Sequence, residues 1–279
     1  MSVNYISDDF DLNNPELVSV IDDLPLWSAS FGLKILDMIK IRKNMKVLDI
    51  GCGAGFPALE IAQRLDMDSQ VYGIDNWKTA VDRANQKIKF CNIRNAEIIN
   101  TSAENLPFEN EFFDVIVSNN GLNNVDNLEQ VFSECFRVLK KNGQLLFSMN
   151  LEGTMIEFYE VYKKVLLKHN MNSEVENIRN HIYEKRKPVE YMKNILDKYK
   201  FSLSGIEYGE FSFRFADGSA LFNHFLIRVG FLKSWKEIIA PEKQSEIFGE
   251  IELELNKIAS EKGELKLTVP FAVFDCLRQ

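Results

Sequence analysis

Residues 47–65 read VLDIGCGAGFPALEIAQRL. An apolar run carries an acid at Asp49, and glycines follow at Gly51, Gly53 and Gly55. Beyond them Leu59, Ile61, Ala62 and Leu65 recur on one face of a helical period. The stretch therefore predicts a strand over 46–50, a tight turn, and a helix over 57–65. Glycine tolerates positive φ and lets a ligand approach the backbone. The helix that follows offers free N–H groups and the positive end of its dipole. A nucleotide-like ligand at the carboxyl end of the first strand is the physical expectation.

Two details narrow that ligand. A dinucleotide fingerprint would want a third glycine at position 56, where this chain has Phe56. Asp49 would also repel a pyrophosphate. These two residues argue against a nicotinamide oxidoreductase. A ligand with a positive centre, an amino group and no phosphate would suit the acid, and S-adenosylmethionine is such a molecule. A second strand over 71–74 ends at Asp75, where a carboxylate accepts both hydroxyls of a ribose.

Working outward, strand and helix signals alternate. A helix is expected over 78–91, strands over 96–100 and 113–118, a helix over 128–139 and a fifth strand over 144–149. That rhythm predicts a parallel sheet covered by helices on both faces. After Asn150 the pattern changes to helices over 153–168, 173–185 and 188–199, then a strand over 203–215. A mostly apolar helical stretch over 219–239, broken near Gly230, precedes a long amphipathic helix over 242–262. The final strand, 265–277, contains Pro270, which argues for an edge position or a bulge.

Composition sets the outer limits. The chain has 279 residues, 46% of them hydrophobic and 27% charged, ordinary for a globular protein with a sizeable core. A net charge of −8 disfavours a nucleic-acid partner. No apolar stretch approaches the roughly 20 residues of a membrane span. The polar, acidic start MSVNYISDDF resembles neither a signal nor a transit peptide. Cys52, Cys91, Cys135 and Cys276 are scattered without a CxxC pair. They are expected to be reduced cytoplasmic thiols, with no metal site.

VLDIGCGAG, VYGID, SAENLPF, FDVIVSN and RVLKKNGQLLF, in this order from Val47 to about Met149, resemble the class I S-adenosylmethionine-dependent methyltransferases. The resemblance is to their type 11, small-molecule and quinone-methyltransferase-like subgroup. It implies an α/β fold with a Rossmann-like seven-stranded sheet flanked by helices, the last strand antiparallel. The strands over 203–215 and 265–277 would be its final pair. It also implies S-adenosyl-L-methionine as cofactor and S-adenosyl-L-homocysteine as product. Carried over by position, Asp49, Gly51, Cys52 and Gly53 would flank the methionine moiety. Asp75 would hold the ribose, with Asn76 and Trp77 beside the adenine. Ala103 and Glu104 would line the adenine pocket, and Asn119 would face the reactive centre. Where the family often places an acid before the alanine, this chain has Ser102, a weaker partner for the adenine amine. Trp27, in the leading helix, would fold over the cofactor.

The implied organisation is an N-terminal segment and lid helix (1–45), a cofactor-binding core (46–150), a helical insertion (151–187), a core helix and strand (188–215), a second helical insertion covering the acceptor (216–263) and a last core strand (264–279). Methyl transfer from a sulfonium is an in-line displacement. It depends chiefly on alignment, which contributes about 7–11 kcal/mol. A base is needed only if the acceptor must lose a proton. His224, Tyr159 and Asn123 are the candidates, each with an equally ordinary structural role available. The acceptor is expected to be a small, partly apolar molecule. The alternative is a non-catalytic subunit or sensor that binds S-adenosylmethionine or S-adenosylhomocysteine.

Overall fold

A computed structural model describes residues 4–7, 10–22 and 27–279. Its helices are α1 (Pro15–Asp22), α2 (Ser28–Met38), α3 (Ala58–Arg64), α4 (Lys78–Phe90), α5 (Leu128–Val138), α6 (Ile156–Lys168), α7 (Asn172–Lys185), α8 (Val189–Lys198), α9 (Gly218–Asn223), α10 (Phe225–Ile227), α11 (Lys233–Lys236) and α12 (Pro241–Lys262). Its strands are β1 (Lys46–Ile50), β2 (Gln70–Asp75), β3 (Ala96–Asn100), β4 (Phe113–Asn119), β5 (Leu139–Asn150), β6 (Phe201–Phe215) and β7 (Leu265–Arg278). The strands form one seven-stranded sheet in the order β3-β2-β1-β4-β5-β7-β6. β1 to β5 pair in parallel, and β7 runs antiparallel to β5. This is the expected Rossmann-like methyltransferase sheet. The order reverses between β1 and β4, which is where open α/β sheets take their ligands.

The chain divides into two compact units. The larger, called here the core unit, comprises Leu12–Asn150, Lys187–Gly209 and Phe271–Gln279. Its central strand β4 is buried along its whole length, as a strand covered on both faces must be. α5 turns Val131, Phe132, Cys135 and Val138 inward, and its start is capped by the Asn127 side chain, which accepts from the Gln130 N–H at 3.1 Å. The smaller, appended unit comprises Met1–Asp11, Leu151–Arg186 and Glu210–Pro270. Its core is aromatic. Phe158 stacks on Trp235 with ring centroids 3.9 Å apart, and Phe222 and Phe248 meet nearly edge to face at 5.8 Å.

Three expectations need correction. β7 lies between β5 and β6, so of the edge or bulge that Pro270 suggested, the edge is excluded. Pro270 is tolerated because its ladder with β5 ends at the pair Asn150–Phe271, one residue away. β5 begins at Leu139, which pairs with Phe113 before the register shifts to Val115–Gln144. The gap expected between the helix ending at 139 and the strand beginning at 144 is therefore an irregularity within the strand. The apolar stretch over 219–239 is not one helix broken near Gly230. It breaks first at His224, whose backbone is extended (ψ 127°), and Gly230 sits inside a widened π-turn, Arg228–Leu232. Residues 23–26, part of the expected lid helix, lie outside the described residues.

Candidate cofactor site

The turn after β1 is built mostly by backbone. Gly51 and Cys52 N–H groups both donate to the Ile74 carbonyl, at 2.9 and 3.0 Å, tying the turn to β2. Gly51 has φ 75°, and a Cβ there would stand 2.9 Å from the Gly121 Cα. The loop after β4 thus approaches the first turn closer than any side chain permits. Gly53 differs: its φ is 51°, but a Cβ there would meet nothing within 4 Å. The turn is tight at Gly51 and open at Gly53.

Asp49 lies wholly inside. Its Oδ2 accepts from the Ala58 N–H at 3.0 Å, bridging β1 to the start of α3, while Oδ1 is buried without a hydrogen-bond partner. Burial pushes its carboxyl up to about 8; the Ala58 N–H opposes the rise and nearby Asp75 adds to it. Asp75, half-buried at the end of β2, accepts from the Gly53 N–H through one oxygen and the Trp77 N–H through the other, each at 2.8 Å. Two backbone donors fix the carboxylate, and each oxygen keeps a lone pair for a further donor.

The remaining predicted residues are distributed around this turn. Asn76 is exposed beside Asp75. Trp77 opens α4 and donates its indole N–H to the Leu12 carbonyl at 2.6 Å. Cys52 is buried, and burial drives its thiol pKa well up, so it acts as turn filling rather than as a thiolate. Ala103 is buried in the loop after β3. Ser102 donates to the Glu104 carboxylate and accepts from the Glu104 N–H. Glu104 in turn accepts from the Asp126 and Asn127 N–H groups at 3.1 and 3.3 Å, pinning that loop to the approach of α5. Burial works against its ionised form, but these bonds and the Ser102 hydroxyl outweigh it and hold the carboxyl below its ordinary range. Asn119 donates to the Ser28 carbonyl of α2 at 3.0 Å and accepts from Ser148. Trp27 precedes α2 and meets Phe31 edge to face at 5.3 Å, with Phe31 fully buried.

The three candidates for proton transfer are divided between the two units. Asn123 belongs to the core unit and donates to Asn120 and Asn150, both at 2.6 Å. With Asn119 and Ser148 these residues knit the ends of β4 and β5 together. Tyr159 and His224 belong to the appended unit. The Tyr159 hydroxyl accepts from Trp235 Nε1 and Arg186 Nη1, at 3.0 and 3.3 Å. His224 Nδ1 is buried without a partner, and burial lowers the ring's pKa, keeping it neutral. Among the described residues no cluster of three or more His, Cys, Asp and Glu side chains could hold a metal ion.

Sequence reasoning missed some supports of the turn. Lys87 of α4 donates to the Ala54 carbonyl at 2.9 Å and pairs with Asp22 of α1, which also takes Arg83. A lysine at the end of a charged helix gives no sign of this. Gly121 was legible in principle, since it follows a cluster of asparagines at the end of a buried strand.

The site's chemistry fits a ligand made of an amino acid joined to a nucleoside. Open space lies over Gly53, where a side chain would otherwise stand. An anchored carboxylate with spare lone pairs lies beside it at Asp75. A model of a methyltransferase domain matches residues 41–201, more than half of the chain. The chain belongs to this methyltransferase family. A demethylmenaquinone methyltransferase of Geobacillus sp. (strain WCH70) is 30% identical over 124 residues, 44% of this chain and 53% of that one. The chain thus spans about half the length of this curated relative. The YcgJ protein of Bacillus subtilis superposes with a TM-score of 0.60 at 16% identity, over 90% of this chain and 98% of that one. A geranyl diphosphate C-methyltransferase from Streptomyces coelicolor A3(2), solved with Mg2+, geranyl diphosphate and S-adenosyl-L-homocysteine, gives 0.58 at 14% identity, over 99% and 87%. At such identities the two structures speak for the fold alone. As a member of this methyltransferase family, the chain takes S-adenosyl-L-methionine as its cofactor.

Proposed function

We propose that the protein transfers the methyl group of S-adenosylmethionine to a small, partly apolar acceptor. The observation that carries this reading is the pairing of open space at Gly53 with the Asp75 carboxylate fixed by the Gly53 and Trp77 N–H groups. In it Asp75 takes the ribose hydroxyls, with Asn76 and Trp77 beside the adenine. Gly51, Cys52 and Gly53 pass under the methionine moiety, and Asp49 holds the turn from beneath. Ser102, Ala103 and Glu104 border the adenine. Asn119 orders the β4 end near the reacting carbon, and Trp27 lies over the cofactor. When bound, the cofactor supplies an electrophilic methyl on a sulfonium with a good leaving group. The chain's task is then to align the acceptor and exclude water.

Acceptor selection is assigned to the appended unit, most of which lies beyond the residues matched by the methyltransferase model. Its half-buried Phe211 and Phe215 suit an apolar body, and the name of the Geobacillus relative points the same way. Where the acceptor must lose a proton, His224 is the candidate base, because its neutral ring keeps a buried, unpartnered nitrogen. A reducing cytoplasm suits the four free cysteines, three of them buried. No described helix is long and apolar enough to cross a membrane.

The test is calorimetric titration with S-adenosylhomocysteine and NAD, followed by assay of label transfer from methyl-labelled S-adenosylmethionine to a panel of phenols, hydroquinones and amines. S-adenosylhomocysteine should bind and NAD should not. Binding without transfer to any acceptor would favour the non-catalytic alternative. Binding of NAD alone would overturn the cofactor assignment.

A further inference from the structure

The appended unit contains a buried group of hydrogen-bond donors that lacks acceptors. Arg186, at the end of α7, is 3% exposed. Its Nη1 donates to the Tyr159 hydroxyl at 3.3 Å, its guanidinium carbon lies 5.3 Å from the Tyr159 ring centroid, and its Nε is buried with no partner. None of the ion pairs among the described residues involves it. Tyr159, 2% exposed, receives a second N–H from Trp235, so both lone pairs of its oxygen are used and its own proton is left to donate. No acceptor for that proton is found among the described residues.

A guanidinium cannot shed its charge in a protein. Burying it against a neutral phenol leaves a desolvation cost that the Tyr159 hydroxyl and ring offset only in part. His181, whose ring lies 6.1 Å from that of Tyr159, brings no negative charge. Burial, with Arg186 and Lys185 adding to it, pushes its pKa down to about 4, so it too is neutral near pH 7. The cluster is therefore positive, largely buried and rich in donors. An apolar side chain would have filled the position at lower cost, so the arginine is explained by a partner that arrives from outside.

We propose that Arg186 and the Tyr159 hydroxyl form a binding site in the appended unit for the anionic oxygens of a small molecule, a carboxylate or a phosphate. The guanidinium offers a planar fork that matches either group in a bidentate manner, with the tyrosine proton as a third donor. The inference concerns this unit alone and stands or falls independently of the methyl-transfer reading.

The test is titration of the full-length protein with sodium benzoate and with inorganic phosphate, by calorimetry and by thermal melting, in parallel on Arg186→Met and Tyr159→Phe. Wild type should bind at least one anion saturably, benzoate alone marking a carboxylate site and phosphate alone a phosphate site. Arg186→Met should lose that binding yet melt above the ligand-free wild type, because an uncompensated buried charge is gone. Tyr159→Phe should retain binding weakened several-fold. S-adenosylhomocysteine titration on each variant serves as a check of folding. Equal response of wild type and Arg186→Met to the anions would overturn the proposal. So would failure of both anions to bind a wild type that still binds S-adenosylhomocysteine, or a melting temperature lowered by Arg186→Met.

Discussion

The turn after β1 and the aromatic core of the appended unit solve opposite problems. In the turn, side chains are removed. Gly51 allows two loops to touch, Gly53 leaves space open, and backbone N–H groups hold the half-buried acid Asp75. In the appended unit space is filled. Phe158, Tyr162, Phe222, Trp235 and Phe248 are all fully buried, and the polar atoms among them are constrained by what surrounds them. Changes in the first region should alter what binds, and changes in the second should alter what folds.

The largest expected effect tests the second half of that contrast. Phe248→Ala should lower stability by about 3–5 kcal/mol through loss of buried area and the cavity left behind. Below its melting temperature its affinity for S-adenosylhomocysteine should match the wild type; denaturant melts and calorimetry on the same sample decide this.

Asp49 crosses the boundary, because a buried acid in the binding turn is also a stability term. Its folded pKa, near 8, lies above the unfolded value near 4, so the native state holds the extra proton between them. Stability from this group is fully present below about pH 4 and is lost as pH rises through about 8. The loss should be on the order of 2–5 kcal/mol in the ligand-free protein. Asp49→Asn should flatten that slope, as measured by chemical denaturation across the window. An unchanged slope would mean that the carboxylate is already ionised and compensated.

Asp75→Ala should weaken S-adenosylhomocysteine by ~1.5–3 kcal/mol, roughly ten- to a hundredfold, as a charged acceptor is lost. Loss of its bonds to Gly53 and Trp77 should loosen the turn as well, so Asp75→Asn should recover part of the affinity. The smallest change in stability, about 1–2 kcal/mol, is expected of Gly53→Ala, where only the left-handed backbone objects. Its affinity for S-adenosylhomocysteine should nevertheless fall, because a methyl group enters the open space. Gly51→Ala should be worse for folding, since its Cβ meets the Gly121 backbone. Should the two glycine variants lose stability equally, the distinction between a tight and an open position fails.

The turn after β1 was legible because its determinants are local. Positive φ at Gly51 and Gly53, a strand-end acid and an amphipathic helix all occur within 19 residues of sequence, and the ordered motifs through Met149 fix the sheet. Where the reading erred, the cause was non-local. Pro270 is compatible with an inner strand only because its ladder with β5 stops one residue away. The stretch over 219–239 breaks at His224 and widens around Gly230, against the helical period of its apolar residues.

The sequence by itself determined the fold class, the alternation of strands and helices up to Met149 and the glycine turn after the first strand, since these rest on periodicity and on residues whose backbone needs are intrinsic; the seven-stranded sheet with its antiparallel last strand came from resemblance. Only the tertiary structure decided what the polar side chains do. Asp49 supports α3 from inside, Glu104 braces the loop before α5, and the Tyr159 oxygen accepts from Trp235 and Arg186. Hydrogen-bond partners and burial depend on which distant segments meet, and a pattern of residue types along the chain does not record them.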